Sequence, residues 1–109
     1  MNTNDFKIAK VFSFNNIIEY ADHAVVSKTI IKKPAGTVTL FAFDKDEELS
    51  EHTAPFDAMA QIVDGIAEII IRGQVHKLNA GQSIVMPAAI PHAVKATEKF
   101  KMILTMIKQ

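Results

Sequence analysis

The most constraining feature of this chain is its punctuation. Short apolar runs rich in β-branched residues recur every 8–12 residues or so along most of the sequence, bounded by turn residues, most often Pro, Gly, Asn or Asp. Val25–Ile31 is one such run, and Lys32-Lys33-Pro34-Ala35-Gly36 closes it as a turn. Thr37–Asp44 alternates, with Val38, Leu40 and Ala42 on one parity and Thr37, Thr39, Phe41 and Phe43 on the other. Both sets are fit for burial, which places this strand between an interior and a second packed surface. Lys45–Glu48 is a charged turn. Leu49–Gly65 follows, then Ile66–Arg72, with Asp64-Gly65 between them as a hairpin signal. Gly73 turns the chain into Gln74–Leu78, and Asn79-Ala80-Gly81 turns it again. Gln82–Met86 ends at Pro87, Pro91–Ala96 is the next run, and Phe100–Ile107 is the last. Ahead of these, Lys7–Phe14 alternates as a short strand would, and Ile17–Tyr20 is compatible with one helical turn. About ten short strands with almost no helix predict an all-β sandwich or barrel.

The 109 residues suffice for one domain with one core. Residues 1–23 read as an N-terminal arm with a short strand and a turn, and residues 24–109 as the barrel. The 12 basic and 12 acidic residues cancel, so the surplus of Lys and Arg that neutralises nucleic-acid phosphates is missing. No apolar run approaches the ~20 residues of a membrane helix, and the start of the chain is unlike a signal segment, so a cytoplasmic protein is expected. With no cysteine, the chain offers no disulfide, thiolate ligand or thiol nucleophile. Zero net charge with 49% hydrophobic residues protects poorly against self-association. A homodimer is expected, paired through the doubly apolar strands Val25–Ile31 and Thr37–Phe43.

The chemistry-bearing residues fall in two stretches, LSEHTAPFDAMAQIVDG (49–65) and GQSIVMPAAIPH (81–92). Together they resemble the two motifs of the cupin family, G-x5-H-x-H-x3/4-E-x6-G and G-x5-P-x-G-x2-H-x3-N. His52 and Gly65 match the first motif; Gly81, Pro87 and His92 match the second. The resemblance covers residues 24–107 and implies a single-domain jelly-roll barrel (a double-stranded β-helix, RmlC-like). It also implies a divalent metal, iron, manganese, nickel or zinc, held by three histidines and a glutamate. Here the motif's second histidine falls on Ala54 and its glutamate on Ala58. Its opening glycine falls on Asp46, its internal glycine on Ala89 and its final asparagine on Ala96. The implied metal site is therefore incomplete. His52 and His92 remain as ligands for weak metal binding, and no cofactor is firmly predicted.

Two functions follow. One is a small-molecule binding barrel whose pocket is formed by His52, Ala54, Ala58, Ala60, Met86 and His92. The small inward residues leave room for a ligand unless Met86, Met102, Met106 and the phenylalanines fill it. The other is a metal-dependent enzyme of dioxygenase, isomerase or sugar-modifying type, with His52 and His92 as ligands. Catalytic residues cannot be named from the sequence. Ser27, Ser50 and Ser83 lack the G-x-S-x-G setting of a hydrolase nucleophile. His76 on a separate strand and His23 in an early corner read as peripheral.

Overall fold

The computed structural model describes residues 9–108. Its elements are β1 (Val25–Lys33), β2 (Gly36–Phe43), β3 (Glu48–His52), β4 (Asp57–Ile71), β5 (Gln74–Asn79), β6 (Ser83–Met86), β7 (His92–Lys95) and β8 (Phe100–Ile107). Every pairing is antiparallel. The first half of β4 lies between β8 and β6 in a sheet that continues through β2 to β1. Its second half lies between β5 and β7 in another, with β3 outside β7. One 15-residue strand thus belongs to both walls of the barrel.

The crossing point is Asp64-Gly65. The expected hairpin does not form there. The register against β8 slips between Ile62 and Asp64, and Gly65 takes φ 75° while the strand runs on. Asp-Gly supplies the same left-handed backbone to a bulge as to a tight turn, and here the bulge bends β4 from one sheet into the next. The nearby two-residue hairpin is instead Arg72-Gly73, both at positive φ, joining β4 to β5.

Alternation along β2 and β8 makes two apolar layers. Phe43, Phe100 and Met102 point into the barrel with Ala58, Ala60, Ile62, Ile69 and Met86, and the Phe43 and Phe100 rings stack at 4.6 Å. Leu40, Ala42 and Ile103 point outward and are still buried. The chain's own arm covers them. Ile18 is 3% exposed against these residues, with Phe14, Ile17 and Tyr20 around it. Much of the face expected to form a subunit interface is thus covered within the chain.

Polar contacts fasten the arm. Lys28 Nζ donates to the Ile17 carbonyl at 2.7 Å, and Lys101 Nζ, on an 8%-exposed side chain, donates to the Asn15 carbonyl at 2.6 Å. Tyr20 donates its hydroxyl to Asp64 at 2.5 Å, so the arm is tied to the bulge itself. Neither local element expected in the arm forms among the described residues. Residues 9–14 are not a strand, and residues 7 and 8 lie outside the description; Ile17–Tyr20 is an irregular segment after a turn at 14–16. Packing on the sheet and the polar contacts of Asn15, Ile17 and Tyr20 hold this part of the chain.

Candidate functional site

β3 and β7 bring the two motif histidines together. His52 and His92 are cross-strand partners, with ring centroids 4.3 Å apart and planes at 66°. Their shared orientation depends on an irregularity. Leu49 faces Val94, so regular alternation would turn His52 away from the face that Leu49 occupies; the register break between Leu49 and His52 restores it. On the other side of β7, Ile71 faces His92, and Arg72 donates its backbone N–H to the Pro91 carbonyl at 2.9 Å.

The rings share a second feature. Each Nδ1 contacts the carbonyl two residues earlier, His52 with Ser50 at 2.8 Å and His92 with Ile90 at 3.2 Å. A carbonyl only accepts, so a neutral ring carries its hydrogen on Nδ1 and leaves the Nε2 lone pair free. His52 is exposed, and His92 keeps only 7% of its surface. No buried side-chain nitrogen or oxygen lacks a partner among the described residues, and no hydrogen bond engages His92 Nε2, so that atom faces accessible space. Burial pulls the His92 imidazole below its ordinary value of 6.5; the Ile90 carbonyl opposes this, and the His52 ring adds to it.

The other residues of the expected pocket divide in two. Ala54 is half-buried at the rim, where its carbonyl accepts from Ala89 N at 2.7 Å. Ala58, Ala60 and Met86 are packed in the main core with Phe43, Phe100 and Met102. His76 sits on β5 opposite Ile69, two strands from His92, and His23 is an exposed turn residue whose N–H donates to Asp44. Sequence reasoning missed the Ser50 and Ile90 carbonyls. No residue type marks them, because any residue supplies a carbonyl.

A metal would have to be held by this donor set. Among the described residues, no three His, Cys, Asp or Glu side chains cluster. Two imidazoles with methyl groups at 54 and 58 do not fit the four-ligand centre that the motifs imply. The backbone of those motifs is nevertheless kept. Gly65 and Gly81 have φ 75° and 94°, and the two motif glycines replaced here, at Asp46 and Ala89, have φ 73° and 62°.

The family model described as "Cupin domain" matches residues 39–108. The chain belongs to the cupin family. A conserved protein of unknown function from Streptococcus pyogenes is similar to this cupin over its whole length, at 36% identity and a TM-score of 0.92, with 96% of that chain covered. A cupin 2 conserved barrel domain protein from Leptotrichia buccalis is 39% identical over 89% of this cupin and 47% of its own length, with a TM-score of 0.86. Salicylate 1,2-dioxygenase from Pseudaminobacter salicylatoxidans shares the fold alone, at 14% identity, a TM-score of 0.71, and 76% of this chain against 26% of that one. No match was found among curated proteins.

Proposed function

We propose that this cupin is a metal-independent module that binds a small molecule at the His52–His92 mouth of its barrel. The observation that carries the reading is the pair of adjacent imidazoles, each with Nδ1 committed to a backbone carbonyl and Nε2 without a hydrogen-bond partner among the described residues. Such a pair offers hydrogen-bond acceptors to a ligand at the edge of an apolar interior, an arrangement common to small-molecule sites. Two imidazoles without a carboxylate hold a divalent ion weakly, so metal-dependent turnover is the second reading. What favours it is the same Nε2 geometry, since metal-bound histidines also donate their other nitrogen to a carbonyl. The module acts as a homodimer in this proposal. Exposed apolar side chains support it: Ile31 on β1 and Ile107 on β8 are both exposed.

Thermal shift with small acids, alcohols and diols tests the first reading, alongside metal analysis of untagged protein prepared without chelator. The expected result is no stoichiometric metal and a ligand-dependent rise in Tm that His92→Gln removes. Stoichiometric iron, manganese, nickel or zinc that disappears in both His52→Ala and His92→Ala would replace it with the enzyme reading. A Tm that rises with protein concentration supports the dimer, and a monomeric mass with a concentration-independent Tm removes it.

A further inference from the structure

We propose that the recess between the N-terminal arm and the start of β8 is a second binding site, for a small phosphate monoester held by Lys99 and Lys101. The recess has a volume of about 510 Å³ and is lined by Asn15, Asn16, Glu19 and Tyr20 of the arm and by the two lysines. It shares no residue with the His52–His92 mouth, and the inference stands apart from the reading given above. What carries it is a buried cation without a counter-charge. Lys101 is 8% exposed, and among the described residues its ammonium makes one hydrogen bond, to the neutral Asn15 carbonyl. Burying a charged amine is costly unless an opposite charge meets it. No ion pair engages Lys99 or Lys101 among the described residues.

β4 and β8 build this place. Phe100 points into the core, so alternation turns Lys99 and Lys101 to the outer face, with Lys101 opposite Ala42. The bulge at Asp64-Gly65 then fixes both walls. Gly65 lets the Lys99 carbonyl approach where a Cβ would collide, and Asp64 accepts the Tyr20 hydroxyl and so anchors the arm. Tyr20 gathers the cations: the Lys99 and Lys101 ammoniums lie 4.8 and 5.1 Å from its ring centroid. A ring face attracts cations but does not neutralise them. The acidic groups nearby are otherwise placed. Asp64 is committed to Tyr20, and Asp44, which feels the Lys99 charge through space, accepts the His23 N–H. Glu19 is exposed on the arm's wall of the recess.

Two ammoniums on one recess match a dianion, which a phosphate group supplies near neutral pH and a single carboxylate does not. The volume points past a bare ion. It is many times the ~30 Å³ that one water takes up in the liquid, so a body attached to the phosphate fits as well. The remaining lining sets the character of that body. No hydrogen bond engages the side-chain amides of Asn15 and Asn16 among the described residues, and with the Glu19 carboxylate they suit hydroxyl groups. Glu19 repels a bare phosphate, whereas a hydroxylated ester gives it a donor. Such a ligand also ties the arm to the barrel, because the two lysines and the other four residues belong to different walls.

Tyr20 is the sole tyrosine and the chain has no tryptophan, so tyrosine fluorescence reports on the recess directly. The full chain is titrated in a phosphate-free buffer at constant ionic strength, with Tm followed in parallel. The probes are glycerol 3-phosphate, inorganic phosphate, sulfate, acetate and glycerol. Glycerol 3-phosphate should give a saturable change, at least about tenfold tighter than acetate or glycerol, and tighter than either inorganic dianion. Lys99→Gln and Lys101→Gln, checked for native circular dichroism, should each weaken it by about tenfold or more. Lys99 is exposed, so its variant decides the matter if the buried Lys101→Gln fails to fold. Lys95→Gln, an exposed position in the other sheet, should change nothing. Glu19→Gln should strengthen inorganic phosphate and narrow the advantage of the ester. Sulfate or inorganic phosphate binding as tightly as the ester would overturn the monoester assignment. Binding that survives Lys99→Gln, or no saturable change with either phosphate probe, would overturn the site itself.

Discussion

Ala89 holds its backbone at φ 62°, where a Cβ crowds the following carbonyl, while its N–H donates to Ala54 and links the 87–91 loop to the rim. Glycine removes the crowding and keeps the bond, at the cost of a freer unfolded chain. Ala89→Gly should therefore raise stability by about 0.5–1 kcal/mol in urea titrations. Asp46→Gly should gain less, because aspartate tolerates that region better than alanine does. The spacing of the motifs placed both residues at glycine positions, so this local geometry was legible from the sequence; that the chain bears it without glycine was not. His92 has a pH signature of its own. Its native pKa is depressed, so the contribution to stability is intact above the unfolded value of 6.5 and is lost as pH falls through the lowered native value. Comparing chemical denaturation at pH 7.5 and pH 5 should show wild type losing more stability than His92→Gln does. An equal loss in both would remove His92 as the source.

Asp64-Gly65 shows why elements were harder to read than strand positions. β8 was legible to its ends, and β1, β2, β6 and β7 to within a few residues, since β-branched runs and flanking turn residues are local signals. Whether Asp-Gly reverses a strand or bends it depends on partners far along the chain, here β8 and β7. A side chain at 65 would run into the Lys99 carbonyl besides straining φ 75°, so Gly65→Val should cost about 3 kcal/mol or more. Circular dichroism melts would detect it, and a near-native Tm would show that the crossing is not built as described. The turns of the arm at 14–16 and 22–23 were legible, but its expected strand and helical turn do not form among the described residues, because its order comes from docking Ile18 and Tyr20 on the sheet and no periodicity records that. Tyr20 is the only tyrosine, so its phenolate absorbance reports on the arm alone. Burial raises its pKa above 10, helped by the hydrogen bond to Asp64 and by that group's charge. The arm's contribution should be complete below pH 10 and decline as pH rises from there towards the raised native value, with phenolate appearing only well above pH 10 until the protein unfolds. Tyr20→Phe should cost about 1–2 kcal/mol and flatten that alkaline decline.

At the scale of the whole molecule, this barrel keeps the backbone of the two motifs without the donor set that those motifs imply. The motif glycine positions keep their left-handed backbone, β3 and β7 align the remaining histidines, and alanines stand at 54 and 58. The two absent donors can therefore be returned. In Ala54→His with Ala58→Glu, the glutamate enters a position packed opposite Met86 and Met106, where an unpaired carboxylate is costly. Without metal the double variant should melt below wild type, by roughly 5–10 °C if the cost is ~1–2 kcal/mol. Zinc or manganese should restore it, because metal binding to the native state adds its free energy to folding. Wild type should show no comparable response. A chelator titration that follows Tm and metal content together checks both expectations. If the variant folds but neither ion shifts its Tm, residues 54 and 58 do not face His52 and His92, and they are not the positions of the first motif's second histidine and glutamate.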